Sequence, residues 1–103
     1  MIIYNVTVKI ETSVVQDWEK WMKQVHIPDV MATGCFKDAQ LRRLLYADEE
    51  DGVTYSIQYR CENMSDIETY QANHASRLQA DHTERYKDRY VAFRTLMEQL
   101  DEF

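Results

Sequence analysis

Stretches of period-2 and of helical hydrophobic spacing alternate along this chain so as to predict strand, helix, strand, strand, helix, strand. Ile2, Tyr4, Val6, Val8 and Ile10 alternate with Ile3, Asn5, Thr7, Lys9 and Glu11, the pattern of a strand over residues 2–11 that is buried on one side. Ser13 followed by Gln16 has the form of a capping box. Val14, Trp18, Trp21, Met22 and Val25 then recur at helical spacing, so a helix is expected from about residue 14 with both tryptophans facing the sheet. Pro28 is expected to end that helix near Val25 or His26, which makes His26-Ile27-Pro28 a corner, and Gly34 to close a further short turn in the left-handed conformation.

The second strand is expected over residues 36–46, but Leu41, Arg42, Arg43, Leu44 and Leu45 do not alternate and leave its register open. An acidic run, Asp48, Glu49, Glu50 and Asp51, ends in the turn pair Asp51-Gly52. Beyond it Val53, Tyr55, Ile57, Tyr59 and Cys61 alternate with Thr54, Ser56, Gln58 and Arg60 as a third strand. Ser65 and Glu68 suggest a second capping box ahead of a long helix carrying Ile67, Tyr70, Gln71, His74, Leu78 and His82, with a break expected near Asp81-His82-Thr83 where propensity is weak. Residues 90–100 read as the last strand, with Val91, Phe93, Thr95 and Met97 on one face and Ala92, Arg94 and Leu96 on the other. Two strand-helix-strand units in this order predict an α+β, ferredoxin-like βαββαβ domain over residues 1–103, a four-stranded antiparallel sheet with two helices on one face.

Composition narrows the partners. A chain of 103 residues buries roughly 60–70 % of its unfolded surface, enough for one core. Its formal charge of −6 opposes both nucleic acid and anionic membrane surfaces, which are bound through an excess of Lys and Arg. There is no apolar run long enough to span a bilayer and no leader-like opening, so a cytoplasmic protein is expected. Cys35 and Cys61 form no metal-like or redox spacing and are expected to be buried thiols.

Chemistry is sought first on the sheet face away from the helices. On the two central strands that face carries Asn5, Thr7 and Lys9 beside Thr54, Ser56, Gln58 and Arg60, a polar centre that Ile3, Leu44 and Leu96 would rim. Two such sheets stacked in a homodimer would enclose a cavity with convergent donors and acceptors. RNA binding on that face would need exposed aromatics, whereas Tyr4, Tyr55 and Tyr59 fall in the helix-facing phase. Histidine is the side chain suited to proton transfer near neutral pH. His74 and His82 are about 12 Å apart by helical rise, too far to share a metal ion, and no metal site is expected. His26 and His82 are placed at opposite edges of the sheet, meeting only across a dimer, and the plain reading of His26 is a cap on the last carbonyls of the first helix. Arg94 interrupts an apolar run and is read as a buried charge, paired with Glu11, Glu98 or a second subunit, or anchoring a carboxylate ligand. The acidic turn lacks the spacing of a calcium loop, and with only Gly34 and Gly52 the chain has no glycine-rich phosphate loop.

The run Trp18-x-x-Trp21-Met22-x-x-x-His26-Ile27-Pro28-x-Val30-x-Ala32-Thr33-Gly34-x-Phe36, with Tyr55-x-x-Gln58-Tyr59 and Ala92-Phe93-Arg94-Thr95-Leu96, resembles a family of short, functionally uncharacterised bacterial proteins that form a domain of unknown function. The resemblance implies a ferredoxin-like protomer of the dimeric α+β-barrel type. That type includes cofactor-free oxygenases, haem-degrading enzymes and ligand-sensing domains, so it implies no particular reaction and transfers no site residue. The expectation is therefore a homodimer that binds, with or without transforming, a small polar or carboxylated molecule in an inter-sheet cavity. Gln58 and Arg60 would orient the ligand, Arg94 would pair its charge, His26 is the candidate proton donor, and no cofactor is called for. The alternative is a non-catalytic regulatory or protein-interaction module.

Overall fold

A computed structural model describes residues 1–45 and 51–103 of the chain. Strands β1 (Ile2–Ile10), β2 (Asp38–Arg43), β3 (Val53–Cys61) and β4 (Tyr90–Glu98) form one antiparallel sheet in the order β2-β3-β1-β4. Its helices are α1 (Val15–Trp21), which continues through a π turn (Met22–His26) into α2 (Ile27–Met31), then α3 (Met64–Asn73) and α4 (Ala75–Tyr86). This is the ferredoxin-like α+β arrangement that the periodicities predict.

The alternation of β1 and β3 builds the core. Ile2, Tyr4, Val8 and Ile10 pair with Cys61, Tyr59, Tyr55 and Val53, and all are buried beneath Trp18, Met22, Val30, Ile67, Tyr70, Leu78 and Tyr86. Tyr4, Phe36, Tyr59 and Tyr70 make a cluster of ring contacts, with Tyr70 meeting Phe36 edge-on at 4.9 Å. Gly34 has φ +75°, the left-handed closure expected of it. At Gly52 a Cβ would lie 2.6 Å from the Ile10 carbonyl oxygen, so the backbone just ahead of β3 can pass the end of β1 this closely only with glycine there. Asp48, Glu49 and Glu50 of the acidic run lie outside the described residues.

The helix boundaries depart from the sequence reading in four places. Pro28 does not end the first helix: the Ile27 N–H reaches back five residues to the Met22 carbonyl, and this widened turn lets the helix continue past a residue that has no N–H and crowds the preceding turn. A wider turn advances less angle per residue, which swings Val25 outward, 41 % exposed, and brings His26 toward the core. His26 is thus neither a corner nor a terminal cap. The Ser13 hydroxyl donates to Glu11 Oε1 at 2.8 Å, and a 3-10 turn over Thr12–Val14 precedes α1 without the expected capping box. At α3 the box is made by Asn63 and Asp66, and Ser65 bonds the Asn63 carboxamide instead of capping. The break in the second helical run falls at His74, with φ −132°, and not at 81–83, because Leu78, His82 and Tyr86 are buried and their packing overrides weak propensity.

Candidate functional site

A cavity of about 40 Å³ opens between the sheet and the helices on the β4 side. Val6, Ile57, Ala92 and Arg94 line it from the sheet, and Met22, His26, Val30, Tyr70, Gln79 and His82 from the helices. The two histidines meet inside one chain, their rings 5.7 Å apart and nearly edge-on, which corrects their expected separation on opposite edges. The cause is the π turn. It places His26 within a continuous helical run over the sheet and not at its end, opposite His82 of α4.

Aromatic contacts hold both rings. His26 stacks on Trp21 at 5.0 Å, and His82 packs against Tyr90 at 4.4 Å. The Trp18 indole N–H donates to Nε2 of His82 at 2.9 Å. Burial pushes the His82 pKa down to about 4, with His26 and Arg94 adding repulsion to its charged form. Burial also lowers the pKa of His26, opposed by Asp29 and Asp81. Both rings are therefore neutral at physiological pH, a condition for accepting and donating hydrogen bonds at once. Burial drives the hydroxyl pKa of Tyr70 up to about 12, so that ring too is uncharged.

Arg94 lies opposite Val6 in the β1–β4 ladder, as Gln58 lies opposite Asn5 in the β1–β3 ladder. One residue of register separates those phases, so Arg94 faces the helix side and Gln58 the open side. The two do not share a site. Nor is Arg94 buried, because β4 is an edge strand; among the described residues no carboxylate pairs with it. Arg60 shares the open face with Gln58, and its guanidinium donates to Asp38 at 2.8 Å. Part of the polar centre of that face pairs with itself: the Ser56 hydroxyl donates to Asn5 at 2.6 Å, and the Asn5 amide donates to Thr7 at 3.0 Å. The same register moves Leu96 to the helix side and leaves Val91, Phe93 and Met97, with Ile3 and Leu44, as the apolar groups of the open face. Sequence reasoning named His26 and Arg94 but passed over Gln79 and Tyr90, whose types carry no chemical signature without the fold.

Among the described residues no group of three His, Cys, Asp or Glu side chains is arranged to hold a metal ion, and no helix is long and apolar enough to cross a membrane. The model of one family, Domain of unknown function (DUF4286), matches residues 1–100. The chain belongs to that family. No functionally curated protein matches it. Among solved structures it is similar to a dimeric ferredoxin-like protein from an uncultured marine organism, at 9 % identity and TM-score 0.73 over 100 % of this chain and 98 % of that one. It is also similar to an ethyl tert-butyl ether D (EthD) family protein of Bacillus halodurans C-125, at 11 % identity and TM-score 0.68 over 97 % and 100 %. An EthD-like protein of Ralstonia eutropha JMP134 follows at 13 % identity and TM-score 0.67 over 98 % and 95 %. At these identities the likeness is one of fold, and for this DUF4286 member the chemistry rests on its own side chains.

Proposed function

We propose that this DUF4286 chain is a cytoplasmic, single-domain homodimer that binds a small polar or anionic molecule in the cavity between its sheet and its helices. The observation that carries this reading is the convergence of His26, His82 and Arg94, two neutral rings and a guanidinium with no carboxylate partner among the described residues, on one recess with apolar walls. The sequence pattern points to a ligand between two sheets; the pairing of Asn5, Thr7 and Ser56 with one another on the open face, and the recess beside His26 and His82, favour the helix side instead. Association through the open face is supported by its exposed Val91 and Phe93, 68 % and 63 % accessible, and by the description of a structural neighbour as dimeric. Gln58 and Arg60 then belong to the interface.

The test is a melting-temperature screen of the native protein against small metabolites, repeated on Arg94→Met. A compound that stabilises the native chain and not the variant supports the reading. If no compound shifts the transition, the binding reading fails; a monomer at micromolar concentration in sedimentation removes the dimer. In that second case the exposed apolar stripe on β4 favours a module that docks on another protein.

A further inference from the structure

Trp18 is fully buried, yet it is placed to do more than fill space. Its Nε1–H can be accepted only by an unprotonated ring nitrogen, so neutral His82 must carry its proton on Nδ1. That Nδ1 makes no hydrogen bond to any described residue. Among the described residues no buried side-chain nitrogen or oxygen lacks a partner, so on a side chain only 7 % exposed this atom must reach open space, and the space His82 lines is the cavity. Arg94 beside it is a donor only. The Tyr90 hydroxyl at the same wall is already engaged with Thr83 at 2.8 Å.

Charge limits the ligand further. Among the described residues Arg94 is the one cation lining the cavity, while Asp29 and Asp81 lie close enough to act on His26, and Arg77 on Tyr70. One lining cation matches the charge of a monoanion and leaves the second charge of a dianion unmatched. The volume of about 40 Å³ suits a head group of a few heavy atoms, with any tail directed to the opening, and is well below the roughly 300–1,000 Å³ of a drug-sized site.

We infer that Trp18 is a positioning residue that holds His82 as an Nδ1–H donor, so that the cavity selects a small monocarboxylate over its neutral amide. This rests on the cavity being the binding site, and the experiment separates the two. In protein labelled with 15N at histidine, long-range proton–nitrogen correlation spectra report the tautomer of His82 directly. Titration with propionate, propionamide and inorganic phosphate then reports binding at the cavity down to millimolar affinity. His82 is expected as the Nδ1–H tautomer, and propionate is expected to bind at least about tenfold more tightly than propionamide, as a hydrogen bond to a charged group allows. Inorganic phosphate is expected to bind more weakly than propionate. Trp18→Phe should release the tautomer and weaken propionate. His82→Asn, whose amide nitrogen takes the place of Nδ1, should keep propionate binding that His82→Leu loses. If Trp18→Phe does not fold, the native tautomer and the two His82 variants still decide. A native Nε2–H tautomer, equal affinity for the amide or tighter phosphate binding overturns the inference while leaving the cavity as a binding site. No perturbation of cavity resonances by any of the three overturns both.

Discussion

His82 carries its consequences into stability as well as binding. Its folded pKa of about 4 lies below the unfolded value near 6.5, so the unfolded chain binds the extra proton first. The stabilisation is complete above pH 6.5 and is lost progressively as pH falls toward 4. The loss is roughly 2 kcal/mol by pH 5, from the difference between the two pKa values. His26 is shifted in the same direction and steepens the slope. Urea titrations at pH 7.5 and pH 5 should therefore show a drop that is clearly smaller in His82→Asn; equal drops in the two proteins would mean that His82 is not buried neutral. The tryptophans differ at the same scale. Trp18 is fully buried and its truncation to Ala should cost about 3–5 kcal/mol. Trp21 is only half-buried, with the Arg85 guanidinium 5.5 Å above its ring, and should cost less. Iodide quenching of Trp18 in the native protein would contradict its placement. The sequence marks both residues as core because both fall on the helical stripe, but their unequal burial depends on where α4 packs, which no local pattern contains.

At the scale of elements, caps and turns show how far local chemistry reaches. Asn63→Ala should cost about 1 kcal/mol, because its side chain accepts from the Asp66 N–H at the start of α3. Gln16→Ala should cost almost nothing, since the box suggested by Ser13 and Gln16 is not made. Chemical denaturation of the two variants checks both at once. Both pairs fit the same capping pattern, and only the path of the chain into each helix chooses between them. The π turn makes the same point about periodicity. A strict 3.6-residue repeat puts Val25 in the core, whereas Met22→Ala should cost about 2–5 kcal/mol and Val25→Ala under about 1. Equal costs would restore a regular helix and return His26 to a helix end. Strand content and order are legible because β1 and β3 alternate without interruption; among the described residues β2 is shorter than the expected 36–46, because only its pairing with β3 sets its bounds, and residue 46 lies outside the described residues.

For the whole molecule the decisive fact is non-local. The two faces of β4 are readable from its own residues, but which face looks toward the helices is set by Val6 opposing Arg94 in the ladder with β1. That single register separates the candidate site from the open face: it moves Arg94 to the histidines, takes Leu96 from the rim and puts Val91, Phe93 and Met97 there. The open face then presents an apolar stripe on an edge strand beside a polar centre that is partly paired with itself, the surface through which association is proposed. Phe93→Glu and Ile3→Glu should each shift the proposed dimer to monomer in sedimentation velocity, because two symmetry-related carboxylates would be brought toward each other without partners. Leu96→Glu, on the other phase of the same strand, should leave the dimer intact. Dissociation by Leu96→Glu with Phe93→Glu silent would place the interface on the helix side, over the mouth of the cavity, and the ligand would then have to enter through a second subunit.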